Sequence, residues 1–164
     1  MPDPGSPPPL LQMIERLIAA PSVSSINPQW DQSNQRVIEP LSDWLGQLGF
    51  RVEILTVPGQ PGKSNLVASA GNGPDGLVIS GHSDTVPCDE ALWRSNPFTL
   101  DERDNRLYGL GTSDMKAFFA LVIEALKMET PVYVPCDGTV KEIKVKEGDE
   151  VAEDDVLAII VEGA

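Results

Sequence analysis

The chain has 164 residues, room for one ordinary domain or two small ones, and carries 25 acids against 12 bases for a formal net charge of −13. That charge repels nucleic acid and anionic membrane surfaces and excludes both as partners. At 41% hydrophobic and 23% charged residues the chain is foldable rather than disordered, and its longest apolar run, the seven residues 117–123, falls far short of the roughly 20 needed to cross a bilayer.

Met1 is followed by Pro2, Asp3 and Pro4, without the basic start or apolar stretch of a secretory leader. The expected compartment is therefore the cytoplasm, where Cys88 and Cys136 stay reduced. Five prolines in the first nine residues hold the backbone out of a helix, so 1–9 reads as a flexible arm. Leu10, Leu11, Ile14, Leu17 and Ile18 then recur at helical spacing and stop before Pro21. A second helical pattern, Val37, Ile38, Leu41, Trp44, Leu45 and Leu48, ends at Gly49, and Pro40 within it demands a bend or a late start.

Period-two alternation over 51–57 predicts a strand, and after a Pro-Gly loop a second strand is expected over 65–70. Leu77, Val78 and Ile79 read as a short buried strand running into Gly81. From Met115 the period turns helical again, through Phe118, Leu121, Val122, Ala125 and Leu126, to about Lys127. Beyond Pro131 the pattern becomes short β runs, and 129–164 holds ten acids against three bases. These patterns predict an α/β mixed-sheet domain over 10–128, followed by a small β domain over 129–164.

Two segments carry chemistry. In G-H-S-D-T-V-P, residues 81–87, His82 leaves a buried strand, where ligand groups collect in α/β sheets, and Asp84 stands where it can hold the imidazole in one tautomer. In L-Y-G-L-G-T-S-D-M-K, residues 107–116, two glycines bend the backbone so that Asp114 can point back from a helix start. An imidazole and a carboxylate from separate segments suit zinc. Each residue also has a plainer reading: Asp114 as a helix-start acid, Asp84 as a turn residue, and Trp93, Phe98, Phe118 and Phe119 as packing. The run 59–64 lacks the first glycine of a phosphate loop and is followed by a strand, so it is not one.

Together with Trp93 and Pro97-Phe98-Thr99-Leu100, these segments resemble the zinc-dependent deacylase and peptidase family, most nearly its acetylornithine deacetylase type, over 10–126. The resemblance implies a partial zinc-hydrolase catalytic domain with a two-metal site of zinc or cobalt acting on an N-acyl amino acid. In it His82 is a metal ligand, Asp114 the bridging ligand, and Asp84 the catalytic acid that orients His82. The family's general base comes from an adjacent Glu-Glu pair. No such pair occurs in this chain, and His82 is its only histidine.

The tail, with Lys127-Met128, Pro135-Cys136-Asp137-Gly138 and Lys146-Glu147-Gly148-Asp149, resembles the second half of a biotinyl carrier domain over 124–164. That implies a small all-β half-barrel, biotin on Lys127 as a possible cofactor, a biotin ligase as partner, and a possible homo-oligomer if two tails complete one barrel. The two resemblances collide at 124–127, where one requires a helix and the other a hairpin turn. The unbroken helical period through Leu126 predicts the helix.

Overall fold

The structure, a computed structural model, describes residues 6–73, 75–127, 138–146, 149, 151 and 155–162. It divides into two compact units, 1–128 and 129–164.

In the first unit, helix α1 (Leu10–Ile18) buries Ile14, Leu17 and Ile18 of the predicted stripe and adds Met13, while Leu11 is exposed. Helix α2 (Gln35–Gln47) buries Val37, Ile38, Leu41 and Trp44, and Gly49 just beyond it takes φ +82°, the left-handed conformation that ends helices. Pro40 lies inside α2 and is buried, so the helix accommodates it rather than starting after it; the Arg36 carbonyl loses its helical donor. Arg16 of α1 sits over the Trp44 ring at 5.7 Å. Helix α3 (Lys116–Leu126) buries Ala117, Ala120 and Ile123 rather than the expected face of Phe118, Leu121, Val122, Ala125 and Leu126, of which Leu121 and Leu126 are exposed, and the three helices form one apolar cluster.

Strands β1 (Arg51–Val57) and β2 (Gln60–Ser69) pair antiparallel, from Arg51 opposite Ser69 to Val57 opposite Gln60. The second strand begins five residues earlier than its pattern suggests. Gly59 at φ +75° closes a tight turn, Gln60 pairs at once with Val57, and the register then shifts, so that Pro61 and Gly62 lie in the strand opposite no partner before pairing resumes at Ser64. Strands β3 (Asp101–Arg103) and β4 (Arg106–Tyr108) make a small hairpin whose turn residues, Asp104 and Asn105, have φ of 52° and 55°. Asp and Asn tolerate that conformation best among residues with a side chain.

Two sheet expectations are corrected. Leu77, Val78 and Ile79 form no strand, and every described residue over 70–82 is exposed. A strand needs a hydrogen-bonded neighbour, and no described segment pairs with this one. Among the described residues there is accordingly no extended mixed sheet. The chain is mixed α and β with separate two-stranded antiparallel ladders and one isolated parallel bridge, Val23 to Thr85.

In the second unit β5 (Gly138–Ile143) pairs antiparallel with β6 (Ala158–Glu162), with an irregularity between Val140 and Glu142. Of the expected β runs, those at 132 and 134 lie outside the described residues, and the described residues make two strands rather than a half-barrel. No helix among the described residues is long and apolar enough to cross a membrane. Cys88 is free, and Cys136 lies outside the described residues.

Candidate metal centre

His82 and Asp84 reach the site because their neighbours are tied down. Thr85 N–H donates to the Ser22 carbonyl at 3.1 Å, and Ser24 N–H donates to the Thr85 carbonyl at 2.9 Å. Ser22 Oγ donates to the Ser83 carbonyl at 2.7 Å, and buried Asn34 donates its Nδ2 to Ser83 Oγ at 3.0 Å. Extended backbone alternates its side chains, so fixing 83 and 85 against the body turns 82 and 84 the other way. Asn34 precedes α2 but does not cap it. Its amide group instead bonds both the carbonyl (2.8 Å) and the N–H (2.9 Å) of Ser64 in β2.

Asp114 arrives on the loop between β4 and α3. Gly109 allows that loop to press on α1, where an added Cβ would fall 2.8 Å from Ile18 Cγ2. Gly111, at φ +99°, packs against the stem of Lys116. Lys116 has no solvent exposure, and its ammonium donates to the Ala20 carbonyl at 2.7 Å; burial pulls its pKa down to about 8.

The two loops bring His82 Nε2 to 2.9 Å from Asp114 Oδ1. On the other side of the ring, Nδ1 lies 3.1 Å from the Asp84 carbonyl and 3.4 Å from its carboxylate. Oxygens of both kinds only accept, so the ring satisfies both sides when each nitrogen carries a proton. Desolvation draws the His82 pKa down, but the Asp84 carbonyl, the Asp114 carboxylate and the charge on both acids outweigh it and raise the pKa above 6.5. Asp84 therefore meets His82 first through its main chain, with the carboxylate behind it. His82 is 49% exposed and Asp114 82%, at an open cleft of about 670 Å³ also lined by Trp93, Tyr108 and Thr112.

A cation of the zinc class takes a neutral imidazole nitrogen and a carboxylate oxygen as ligands. Here the two converge on one point, 2.9 Å apart. The donor pair fits zinc or cobalt as two ligands. No described group of three or more His, Cys, Asp or Glu side chains completes a shell.

Residues 78–143 match the model of Peptidase family M20/M25/M40. The M20-like segment contains His82, Asp84 and Asp114. Acetylornithine deacetylase of Photorhabdus laumondii is 51% identical over 133 residues, covering 77% of this chain and 34% of that protein. The Pasteurella multocida acetylornithine deacetylase is 53% identical over 119 residues, 73% of this chain and 31% of its own. That of Vibrio campbellii is 49% identical over 138 residues, covering 79% and 36%. Among solved structures, human carnosine dipeptidase 1 superposes with a TM-score of 0.57 at 26% identity, over 71% of this chain and 27% of that one. The chain spans about a third of the length of the curated relatives it matches.

Lys127 stands apart from the M20-like donors. Helix α3 runs through Leu126 and Lys127 closes it with φ −77° and ψ −11°, so the hairpin turn that the carrier resemblance requires at this residue is absent. Its ammonium donates to the Glu124 carboxylate at 2.8 Å and to the Pro8 carbonyl, and its side chain is largely buried. The matched deacetylases lend the carrier reading no support. The residues that sequence reasoning passed over are Ser22, Asn34 and Lys116. Lys116 closes the D-M-K motif, but its buried bond to a carbonyl 96 positions away leaves no trace in local pattern.

Proposed function

We propose that this chain contributes the His82–Asp114 part of the centre of a zinc- or cobalt-dependent amide hydrolase acting on N-acyl amino acids, of the acetylornithine deacetylase type. The observation that carries the reading is the 2.9 Å convergence of His82 Nε2 and Asp114 Oδ1 inside the segment that matches the peptidase model. The similarity to acetylornithine deacetylases and the shared fold of carnosine dipeptidase support it.

His82 and Asp114 would hold the metal, with Asp84 keeping a proton on Nδ1 so that Nε2 could present its lone pair. A metal held there would supply Lewis-acid polarisation of an amide carbonyl and acidification of water near neutral pH. Trp93 and Tyr108 line the cleft beside the donors and form an apolar wall for the acyl side of a substrate. A proton-transferring Glu-Glu pair is absent from the sequence, so turnover requires a base from outside these residues.

Cobalt titration of the purified chain, followed by visible absorption and by competition with a chelator, tests the reading. Binding is expected in the native protein, with affinity falling at least about tenfold in His82→Ala and in Asp114→Ala. Unchanged affinity in both variants refutes the assignment.

A further inference from the structure

The segments bearing the two donors, 81–85 and 109–116, both lean on one short strip of backbone, residues 20–24, where the chain leaves α1. On one flank, Ser22 and Ser24 make three hydrogen bonds to Ser83 and Thr85, beside the one Asn34 gives Ser83 Oγ. On the other, the Lys116 ammonium reaches the Ala20 carbonyl. We propose that this strip sets the His82-to-Asp114 separation, and that Ser22 and Lys116 are positioning residues for the metal centre: neither touches the donor pair, and each acts through the loop it anchors. The inference rests on the metal-centre reading.

The chemistry of the anchors supports the proposal. An ammonium with no solvent exposure is costly, and an apolar side chain of the same length would fill the space without that cost. What the amine adds is direction, a charge-assisted bond to the Ala20 carbonyl from a residue two positions along the chain from Asp114. The flanking glycines serve the same closeness. An added Cβ would lie 3.0 Å from Lys116 Cδ at Gly111, and 2.8 Å from the Met115 methyl carbon at Gly81. Ser22 likewise has no exposure, and its hydroxyl bonds the carbonyl that lies between His82 and Asp84. A two-donor site gains affinity only when both donors are held at the right spacing, so loosening either anchor weakens binding without removing a ligand.

The test uses the whole chain and two readouts, zinc affinity by chelator competition and the imidazole ¹⁵N resonances of the metal-free protein. The second is unambiguous because His82 is the only histidine. Ser22→Ala and Lys116→Met are each expected to weaken zinc binding about tenfold, in the range of supporting-residue losses, and to move the Nε2 resonance toward that of free imidazole. Ser22→Thr, which keeps the hydroxyl, restores both signals. Lys63→Met, which removes the ion pair to Asp31 at 2.9 Å elsewhere in the unit, changes neither. Native affinity and native resonances in Ser22→Ala and Lys116→Met overturn the proposal. A native chain that binds no zinc overturns the metal-centre reading, and the resonance comparison then still decides whether the strip positions His82 against Asp114.

Discussion

Replacing Lys116 by Met separates the cost of a buried charge from the value of the bond it makes. Burial moves the Lys116 pKa from 10.5 to about 8, which corresponds to about 3 kcal/mol of destabilisation while the amine is charged in both folded and unfolded protein. Between pH 8 and 10.5 the unfolded chain binds more protons than the folded one, so stability rises with pH across that window. Met removes the charge but leaves the Ala20 carbonyl without this donor, at about 1–3 kcal/mol. At pH 7 the two effects nearly cancel, and the variant is expected to be as stable as the native chain or up to about 2 kcal/mol more so. At pH 10.5 the native protein has shed its penalty, and the variant is expected to be the less stable by about 1–3 kcal/mol. Urea unfolding followed by tryptophan fluorescence reads this, since Trp44 lies in the core. A stability difference that stays constant from pH 7 to 10.5 refutes the argument.

Three further outcomes follow from the packing and charge. Gly109→Ala forces a Cβ to 2.8 Å from Ile18 Cγ2 and is expected to lower stability by about 1–3 kcal/mol; a thermal midpoint equal to the native one contradicts the close approach. Leu17→Ala, which empties a fully buried site in the helical cluster, is expected to cost about 2–5 kcal/mol by urea unfolding. The His82 imidazole is expected to titrate above 6.5 by NMR and to move down in Asp114→Asn; its stabilising contribution is fully present below pH 6.5 and disappears as pH rises through the folded midpoint. Zinc competes with the Nε2 proton, so its affinity should climb over the same rise in pH.

The helices were legible because each carries its own periodic stripe. Val37 to Trp44 bury the face their spacing indicates, whereas α3 buries Ala117, Ala120 and Ile123 in place of the expected Phe118, Leu121, Val122, Ala125 and Leu126; the helical continuity through Leu126 still decides the contest at 124–127 in favour of α3. The strands were less legible, since β pairing depends on a partner that local sequence does not name. Leu77, Val78 and Ile79 have the composition of a buried strand and stand exposed. The β2 start was missed because a positive-φ glycine turns the chain at 59 and an irregularity in register accommodates Pro61 without a partner. At the site, His82, Asp84 and Asp114 were visible as residue types within motifs, and the structure brings all three together. Their anchors were not visible: Ser22 to Ser83 spans 61 positions and Lys116 to Ala20 spans 96, and no periodicity encodes bonds of that reach.

The bare stretch that precedes His82 has a practical consequence. Leu77 and Val78 are 87% and 89% exposed in a stretch that pairs with no described strand. Such a stretch recruits any other β segment it meets, so concentrated solutions of the isolated polypeptide should cloud through intermolecular strand addition. A single lysine at position 78 is the simplest guard against that stickiness, placed well clear of the helical cluster.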